Sequence, residues 1–167
     1  MAATPPPMND FLGKHISAIC PFSIGKDDHQ NHCAHFVSHA LGYDFDETCK
    51  NFTYVDKQRE EKGATLRVER LFNRALRKGV WDDRPATATS CLIFVTLDSN
   101  VRTIGEVLAM GNHPRKHVGL YINGQIWNYS NSQRKVVVDA EAHFLTKFTH
   151  AYRTPDRTVE FYYAELI

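Results

Sequence analysis

Two short runs separated by an Asn-Gly pair constrain the fold of this chain more than any other feature. Residues 117–122 (HVGLYI) and 125–130 (QIWNYS) flank Asn123 and Gly124. An Asn-Gly pair between two such runs is the strongest short-range signal for a β-hairpin, because both residues tolerate the positive φ angles of a type I′ turn. The pair therefore predicts two adjacent antiparallel strands in the second half of the chain.

Other patterns in the second half extend this hairpin into a sheet. Residues 90–97 (SCLIFVTL) are apolar almost throughout, which is typical of a central strand. Residues 98–116 are predicted to be an insertion, with a helical turn at 104–110. The remaining predicted elements are a strand at 135–139, a short helix at 140–148 and a last strand at 158–166.

Helical periodicity dominates the first half instead. Apolar side chains recur at helical spacing in three segments, 10–19, 33–41 and 64–78. Residues 1–8 are predicted to be a disordered lead stiffened by prolines, and 22–31 and 43–62 to be turns and loops. Helices followed by an antiparallel meander define an α+β fold, with a single domain over residues 9–167.

The overall composition excludes several functional classes. The 20 Lys and Arg nearly balance the 19 Asp and Glu, so no general attraction to nucleic acid is expected. No apolar stretch is long enough to span a bilayer. The N-terminus lacks the basic and apolar regions of a Sec signal peptide. We therefore expect synthesis in the cytoplasm, with any action on a periplasm or cell wall requiring a non-Sec route or lysis.

The four cysteines do not form a recognisable framework. Cys20, Cys33, Cys49 and Cys91 are too few and too irregularly spaced for a disulfide scaffold. No CxxC pair is present, so a structural zinc site of thiolates is not expected. The spacing leaves open a disulfide among Cys20, Cys49 and Cys91.

A cysteine and a histidine in separate elements form a candidate catalytic pair. Cys33 begins a predicted helix, whose dipole favours a thiolate, and His117 opens a predicted strand, from which it can act as general base and then acid. Asn128 on the partner strand can accept from one ring nitrogen, leaving the other to face Cys33. Tyr129 is the alternative orienting residue if the register shifts by one. The backbone N–H groups at the start of the helix, including that of Cys33, are the predicted oxyanion site.

Several blocks resemble one family of hydrolases. HCAHFV at 32–37 resembles the Asp-Cys-Ser-Gly-Phe-Val block of the NlpC-type papain-like peptidases, and HVGLYI at 117–122 resembles their His-Val-Gly-Ile-Tyr-Leu strand. PFSIG at 21–25 is similar to their Pro-Tyr-Val-Trp-Gly segment, and 91–97 to the strand that precedes the histidine. The resemblance covers roughly residues 20–140.

The resemblance implies a papain-like fold and hydrolysis of amide bonds in bacterial peptidoglycan peptides, without metal or cofactor. Without a signal peptide, the chain resembles stand-alone members such as toxins injected by type VI secretion, or phage lysis enzymes. An immunity protein that neutralises such a toxin is a partner that the sequence leaves open. Neither nucleic acid nor a membrane span is implied.

Two alternatives come from other features of the chain. Phe22 stands where the family has a tyrosine that lines the site, which favours a non-catalytic module that binds wall peptides or a protein partner. A histidine cluster around Cys33 suggests a zinc-dependent hydrolase, but His35 and His39 lack the intervening Glu of a metalloprotease helix. These two histidines are therefore predicted to face solvent or the cleft. The cluster comprises His29, His32, His35 and His39.

Overall fold

The computed structural model describes residues 3–167, and over that range the chain forms eight strands. Six of them form one antiparallel sheet in the order β1-β8-β2-β5-β6-β7, while β3 and β4 form a separate hairpin. The protein is thus a single α+β domain built around an antiparallel sheet, as predicted. The strands are β1 Lys78–Val80, β2 Ser90–Leu97, β3 Val101–Ile104, β4 Val107–Met110, β5 Lys116–Ile122, β6 Gln125–Ser130, β7 Lys135–Ala140 and β8 Val159–Ala164.

Four α-helices accompany these strands within the described range. They are α1 Cys33–Leu41, α2 Tyr54–Lys57, α3 Val68–Arg74 and α4 Glu141–Tyr152. Helix α1 ends where Gly42 adopts a left-handed conformation with φ 73°, which is the usual C-terminal stop. Short 3₁₀ turns occupy Asn9–Phe11, Ile16–Ala18, Ser23–Lys26, Cys49–Asn51, Trp81–Asp83 and Asp98–Asn100.

Three helical predictions were wrong in extent or type. Residues 10–19 are not a helix, because Gly13 has a positive φ and its N–H donates to Val136 O of β7. The predicted helix 64–78 is reduced to α3, since Ala75 is extended and the chain then enters β1. The predicted helical turn at 104–110 is instead the β3–β4 hairpin, which turns at Gly105 with φ 65°.

The Asn123-Gly124 turn forms as predicted and sets the register of β5 against β6. Both residues have positive φ, and Ile122 pairs with Gln125. The paired register runs on through Tyr121 opposite Ile126 to Leu120 opposite Trp127. Toward the start of β5, Gly119 and His117 still lie close to Asn128 of β6.

The two faces of the sheet pack against different helices. Even-numbered residues of β2 and β5, such as Phe94 and Val118, join the core that contains α1 and α3. Odd-numbered residues, such as Val95 and Tyr121, join a second core with Phe144 of α4. Strand alternation therefore assigns each side chain of β5 to the α1 face or to the α4 face.

The prediction that residues 1–8 are disordered can be compared with the structure only from residue 3 onward. Residues 1 and 2 of the predicted disordered segment 1–8 lie outside the described residues, whereas Met8 is buried in the α1-face core. Within residues 3–167, every helix is too short or too polar to cross a bilayer.

Candidate active site

His117 and Asn128 meet on the α4 face of the sheet. The His117 Nε2 and Asn128 Oδ1 atoms lie 3.0 Å apart, and Asn128 Nδ2 donates to Asp139 Oδ2 at 3.0 Å. Because the carboxylate can only accept, the Asn128 amide presents its oxygen to His117, and His117 Nε2 must carry the proton. The other ring nitrogen, Nδ1, therefore keeps its lone pair, as a general base requires.

Gly119 makes this pairing sterically possible. It lies between His117 and Tyr121 on the same face of β5, next to β6. A Cβ at this position would approach Ile126 Cγ2 to 2.6 Å and Asn128 Cβ to 3.2 Å. Only glycine therefore leaves room for Asn128 to lean across the strand to His117.

Tyr129, the alternative orienting residue, lies on the opposite face of the sheet. It is buried in the α1-face core, and its hydroxyl accepts a hydrogen bond from the Ile16 N–H at 3.2 Å. The register set by the Asn-Gly turn therefore directs Asn128, and not Tyr129, to His117.

A charged pair supports the amide from behind. Lys147 Nζ on α4 donates to Asp139 Oδ2 at 2.7 Å. Burial alone would raise the pKa of Asp139, but the hydrogen bonds from Lys147 and Asn128 hold that pKa below its ordinary value. Asp139 is thus a carboxylate at neutral pH, and the chain Lys147–Asp139–Asn128–His117 is continuous.

Aromatic rings of α4 enclose the histidine. The His117 ring stacks on Phe148, with centroids 4.4 Å apart and planes 23° from parallel. Only 4% of His117 is exposed, and this burial lowers its pKa to about 4 despite the hydrogen bond to Asn128. The imidazole is therefore neutral at pH 7.

Cys33 is the first residue of α1, as predicted, but its sulfur is not a thiolate at neutral pH. The side chain is 1% exposed, and burial raises its pKa to about 11. The backbone amides of Val118, Ala34 and Cys33 itself oppose this shift without overcoming it. Desolvation thus outweighs the helix dipole on which the sequence prediction relied.

The structure brings Cys33 beside β5 but does not join it to His117. The Val118 amide that acts on the Cys33 sulfur belongs to the residue that follows His117. Cys33 nevertheless packs in the α1-face core, whereas His117 stacks on α4, and no hydrogen bond links the two side chains. Of the three predicted site residues, the fold therefore pairs two and holds the third beside the same strand end.

Side-chain amides occupy the predicted oxyanion site. The Cys33 N–H donates to Asn31 Oδ1 at 3.0 Å, and the His32 N–H donates to Asn131 Oδ1 at 2.9 Å. Asn131 Nδ2 also donates to Asn31 Oδ1, at 3.1 Å. A substrate oxygen would reach the Cys33 N–H only after Asn31 moved aside.

A cavity of about 480 Å³ adjoins both the start of β5 and the start of α1. Asn31, two residues before Cys33, and Lys116, next to His117, both line it. Lys116 Nζ lies 3.7 Å from Glu69 Oε2 inside this wall. Both charged and apolar groups line the cavity, among them Ile24, Glu47, Phe52, Leu66 and Arg67.

A second cluster of ligand-type side chains lies on the other side of α1. The ligand atoms of Cys20, His35, His39 and Cys49 all lie within 4.8 Å of one another. The prediction that His35 and His39 face solvent or cleft was wrong for His35, which is fully buried, whereas His39 is half-buried. Nothing in the sequence marks Cys20 and Cys49 as their neighbours, because the i, i+4 histidine pair is the only signal there.

Fold and site together define an α+β protein whose antiparallel sheet carries a buried His–Asn pair beside a helix-terminal cysteine. Comparisons with protein-family models, with curated proteins and with solved structures find no match to this chain. The likeness to NlpC-type peptidases accordingly depends on the sequence motifs alone.

Proposed function

We propose that this protein is a papain-like cysteine amidase, with Cys33 as nucleophile, His117 as general base and acid, and Asn128 as orienting residue. One observation carries the proposal. The 3.0 Å contact between His117 Nε2 and Asn128 Oδ1 leaves Nδ1 free as a base at the strand end beside which Cys33 lies.

The reaction follows from these roles. His117 Nδ1 accepts the thiol proton as the Cys33 sulfur attacks the amide carbonyl carbon, which forms a tetrahedral anion. The protonated His117 then donates to the leaving amine nitrogen, and a thioester remains on Cys33. Water, deprotonated by His117, attacks the thioester and releases the carboxylic acid and the thiol. Asn128 keeps the imidazole in the required tautomer throughout.

The proposed reaction requires a rearrangement on substrate binding. Asn31 must release the Cys33 N–H, because that donor is the proposed oxyanion contact. The side chain of His117 or of Cys33 must also rotate, since the two lack a hydrogen bond in the structure. Such tightening of catalytic contacts on substrate binding is common among enzymes.

Peptides from bacterial peptidoglycan are the substrate that we propose, on the strength of the family resemblance. The adjoining cavity presents Lys116 and Arg67 alongside Glu47 and Glu69. Stem peptides carry both carboxylates and amines, so walls with both signs of charge are suited to them. The proposal includes delivery to a cell wall by a non-Sec route or by lysis, and neutralisation by an immunity protein if the protein is a toxin.

Mass spectrometry of purified muropeptides tests the nucleophile and the substrate together. We expect cleavage by the wild-type protein and a loss of about 10³-fold or more with Cys33→Ala, because no other group replaces the sulfur. Cys91→Ala is the matched control, since Cys91 is equally buried but belongs to the α4-face core. Equal cleavage by the wild-type protein and Cys33→Ala would refute the proposal.

A non-catalytic binding module is the second candidate, and the buried sulfur favours it. Cys33 is only 1% exposed, and Asn31 covers the start of its helix. Iodoacetamide labelling at neutral pH separates the two candidates. An amidase should label at Cys33 faster than at Cys91, and muropeptides should slow that labelling because they occupy the thiol, whereas a binding module should bind muropeptides without turnover and without faster labelling at Cys33.

A further inference from the structure

We propose that Cys20, His35, His39 and Cys49 bind one Zn²⁺ ion in a tetrahedral structural site that anchors α1 to the two segments flanking it. The proposal is independent of the amidase activity, because none of the four residues belongs to the proposed catalytic set.

The distances within the cluster match those of a tetrahedral zinc site. With Zn–N bonds of about 2.05 Å and Zn–S bonds of about 2.3 Å, tetrahedral ligands lie about 3.3 Å apart for two nitrogens and about 3.6 Å apart for sulfur and nitrogen. His35 Nε2 and His39 Nε2 are 3.2 Å apart, and Cys49 Sγ lies 3.6 Å from His39 Nε2. Two thiols and two imidazoles are a common zinc ligand set.

A hydrogen-bond relay directs the lone pair of His35 into the cluster. His32 Nε2 lies 2.8 Å from the Asp27 carbonyl oxygen, which can only accept, so this nitrogen carries the proton. His32 Nδ1 is then an acceptor for His35 Nδ1–H, 3.0 Å away. His35 Nε2 is left without a proton, as a metal ligand must be. A backbone carbonyl that orients a ligating histidine in this way is typical of metal sites, here through a second histidine.

The same site explains how irregular segments are held in place. Cys20 precedes the 3₁₀ turn Ser23–Lys26, and Cys49 begins the turn Cys49–Asn51, while both histidines come from α1. The Ala64 N–H donates to Cys49 Sγ at 3.2 Å, a contact that suits a thiolate. A Cβ on Gly25 would lie 3.0 Å from Cys20 Cβ, so the chain folds back tightly around this cysteine.

Four protein ligands also decide what kind of site this is. A catalytic zinc keeps one position open for water, whereas a structural zinc is closed by its ligands. Cys49 and His35 are fully buried, and Cys20 is nearly so. The zinc would therefore be structural, which separates this proposal from the zinc-dependent hydrolase considered from the sequence.

Metal analysis of the purified protein tests the proposal. We expect one zinc per chain in the wild-type protein after removal of any affinity tag, and about tenfold less in Cys49→Ser and His39→Gln. Cys33→Ala and Cys91→Ala are the matched controls and should keep their zinc. His32→Phe should retain the four ligands but bind zinc about 10- to 100-fold more weakly, because the relay is lost.

Cobalt substitution uses the wild-type protein, so its result does not depend on whether a variant folds. Co²⁺ in this site should give the visible bands of a tetrahedral ion and a sulfur-to-cobalt charge-transfer band. Two results would overturn the proposal: wild-type protein that binds neither zinc nor tetrahedral cobalt, or zinc content that persists when Cys20 and Cys49 are both replaced by serine. Recovery of zinc-supplemented protein with a Cys20–Cys49 disulfide would also overturn it.

Discussion

Helix α1 carries two groups of reactive side chains that the fold holds in different ways. At its start, Cys33 lies beside a sheet whose strand register orients His117 and Asn128. On its other side, His35 and His39 face cysteines from segments with little regular structure. The first group is positioned by the strand pairing of one sheet, whereas the second brings a helix together with two irregular segments.

This difference indicates where each group obtains its stability. Backbone hydrogen bonds and two cores surround the His117–Asn128 pair, so it needs no external ligand to persist. The Cys20–Cys49 region belongs to no sheet: beside an isolated bridge between Thr48 and Thr65, it has scattered backbone hydrogen bonds, such as that from the Cys49 N–H to Ala64 O at 3.0 Å. In our proposal, metal coordination supplies there what strand pairing supplies elsewhere.

The largest expected effect is therefore that of removing the metal. A strong chelator should lower the Tm of the wild-type protein by about 10 °C or more, because a loss of about 4 kcal/mol shifts a domain of this size by that amount. Zinc added back should restore the Tm, measured by thermal unfolding followed by circular dichroism. Hydrogen exchange should show residues 20–32 and 42–67 losing protection before β2 and β5.

The control for this comparison is the Cys20→Ser variant. Its Tm should already be low and should not respond to the chelator, because one ligand is missing. If the chelator leaves the wild-type protein unchanged in both Tm and exchange, the two regions do not differ in the way proposed.

The contrast between the regions also explains what was predictable from the sequence. The Asn-Gly turn and the apolar run at 90–97 predicted the central strands and made Asn128 a neighbour of His117, with Tyr129 left open as the alternative. Local patterns indicate which strands are adjacent, but the choice between Asn128 and Tyr129 depended on a register that only the folded sheet shows. The positions of Cys20 and Cys49 depend on long-range folding of irregular segments, and no spacing rule applies to them.

The pKa values show the same division between local and long-range information. The helix dipole at Cys33 is a local property and was evident from the sequence. The burial of the Cys33 side chain, which raises the thiol pKa to about 11, depends on packing against β5. That burial was not evident from the sequence. Likewise, the stacking of Phe148 on His117 required α4 to fold back over the sheet.

The next largest effect is on the pH dependence of stability, and it depends on His117 in the sheet. Burial lowers the pKa of His117 from its ordinary value of about 6.5 to about 4, so the unfolded chain binds the additional proton first. This contribution to stability is complete above about pH 6.5 and is lost as the pH falls toward 4. We expect about 3 kcal/mol from it.

Urea unfolding of the wild-type protein and His117→Gln at several pH values measures that contribution. Glutamine cannot titrate. Between pH 7 and pH 4, the free energy of unfolding of His117→Gln should therefore fall by about 3 kcal/mol less than that of the wild-type protein. Asp139 and Lys147, the charged groups near the ring, are unchanged in both proteins, as is the metal cluster, so their contributions cancel in the difference. Parallel curves for the two proteins would contradict the lowered pKa.

A smaller effect is expected for the orienting amide. Asn128→Ala should lower kcat by about 10²-fold, because the imidazole loses the partner that fixes its tautomer, while KM stays unchanged. The exposed Asn9 provides the control, since Asn9→Ala should leave both constants as they are. A change in KM alone would assign Asn128 to substrate binding instead.

The smallest effect belongs to Asp139, which acts on His117 only through Asn128. In Asp139→Asn the side chain can still accept from Asn128 Nδ2, but it loses the charge that binds Lys147 at 2.7 Å. We expect kcat to fall about tenfold or less, with zinc content and KM unchanged, because the carboxylate touches neither the cavity nor the metal cluster. Asp82→Asn, on an exposed turn, is the matched control. A tenfold loss of zinc in Asp139→Asn would show that the His117–Asn128 pair and the proposed zinc site are coupled. The two groups of side chains could then no longer be treated as independent.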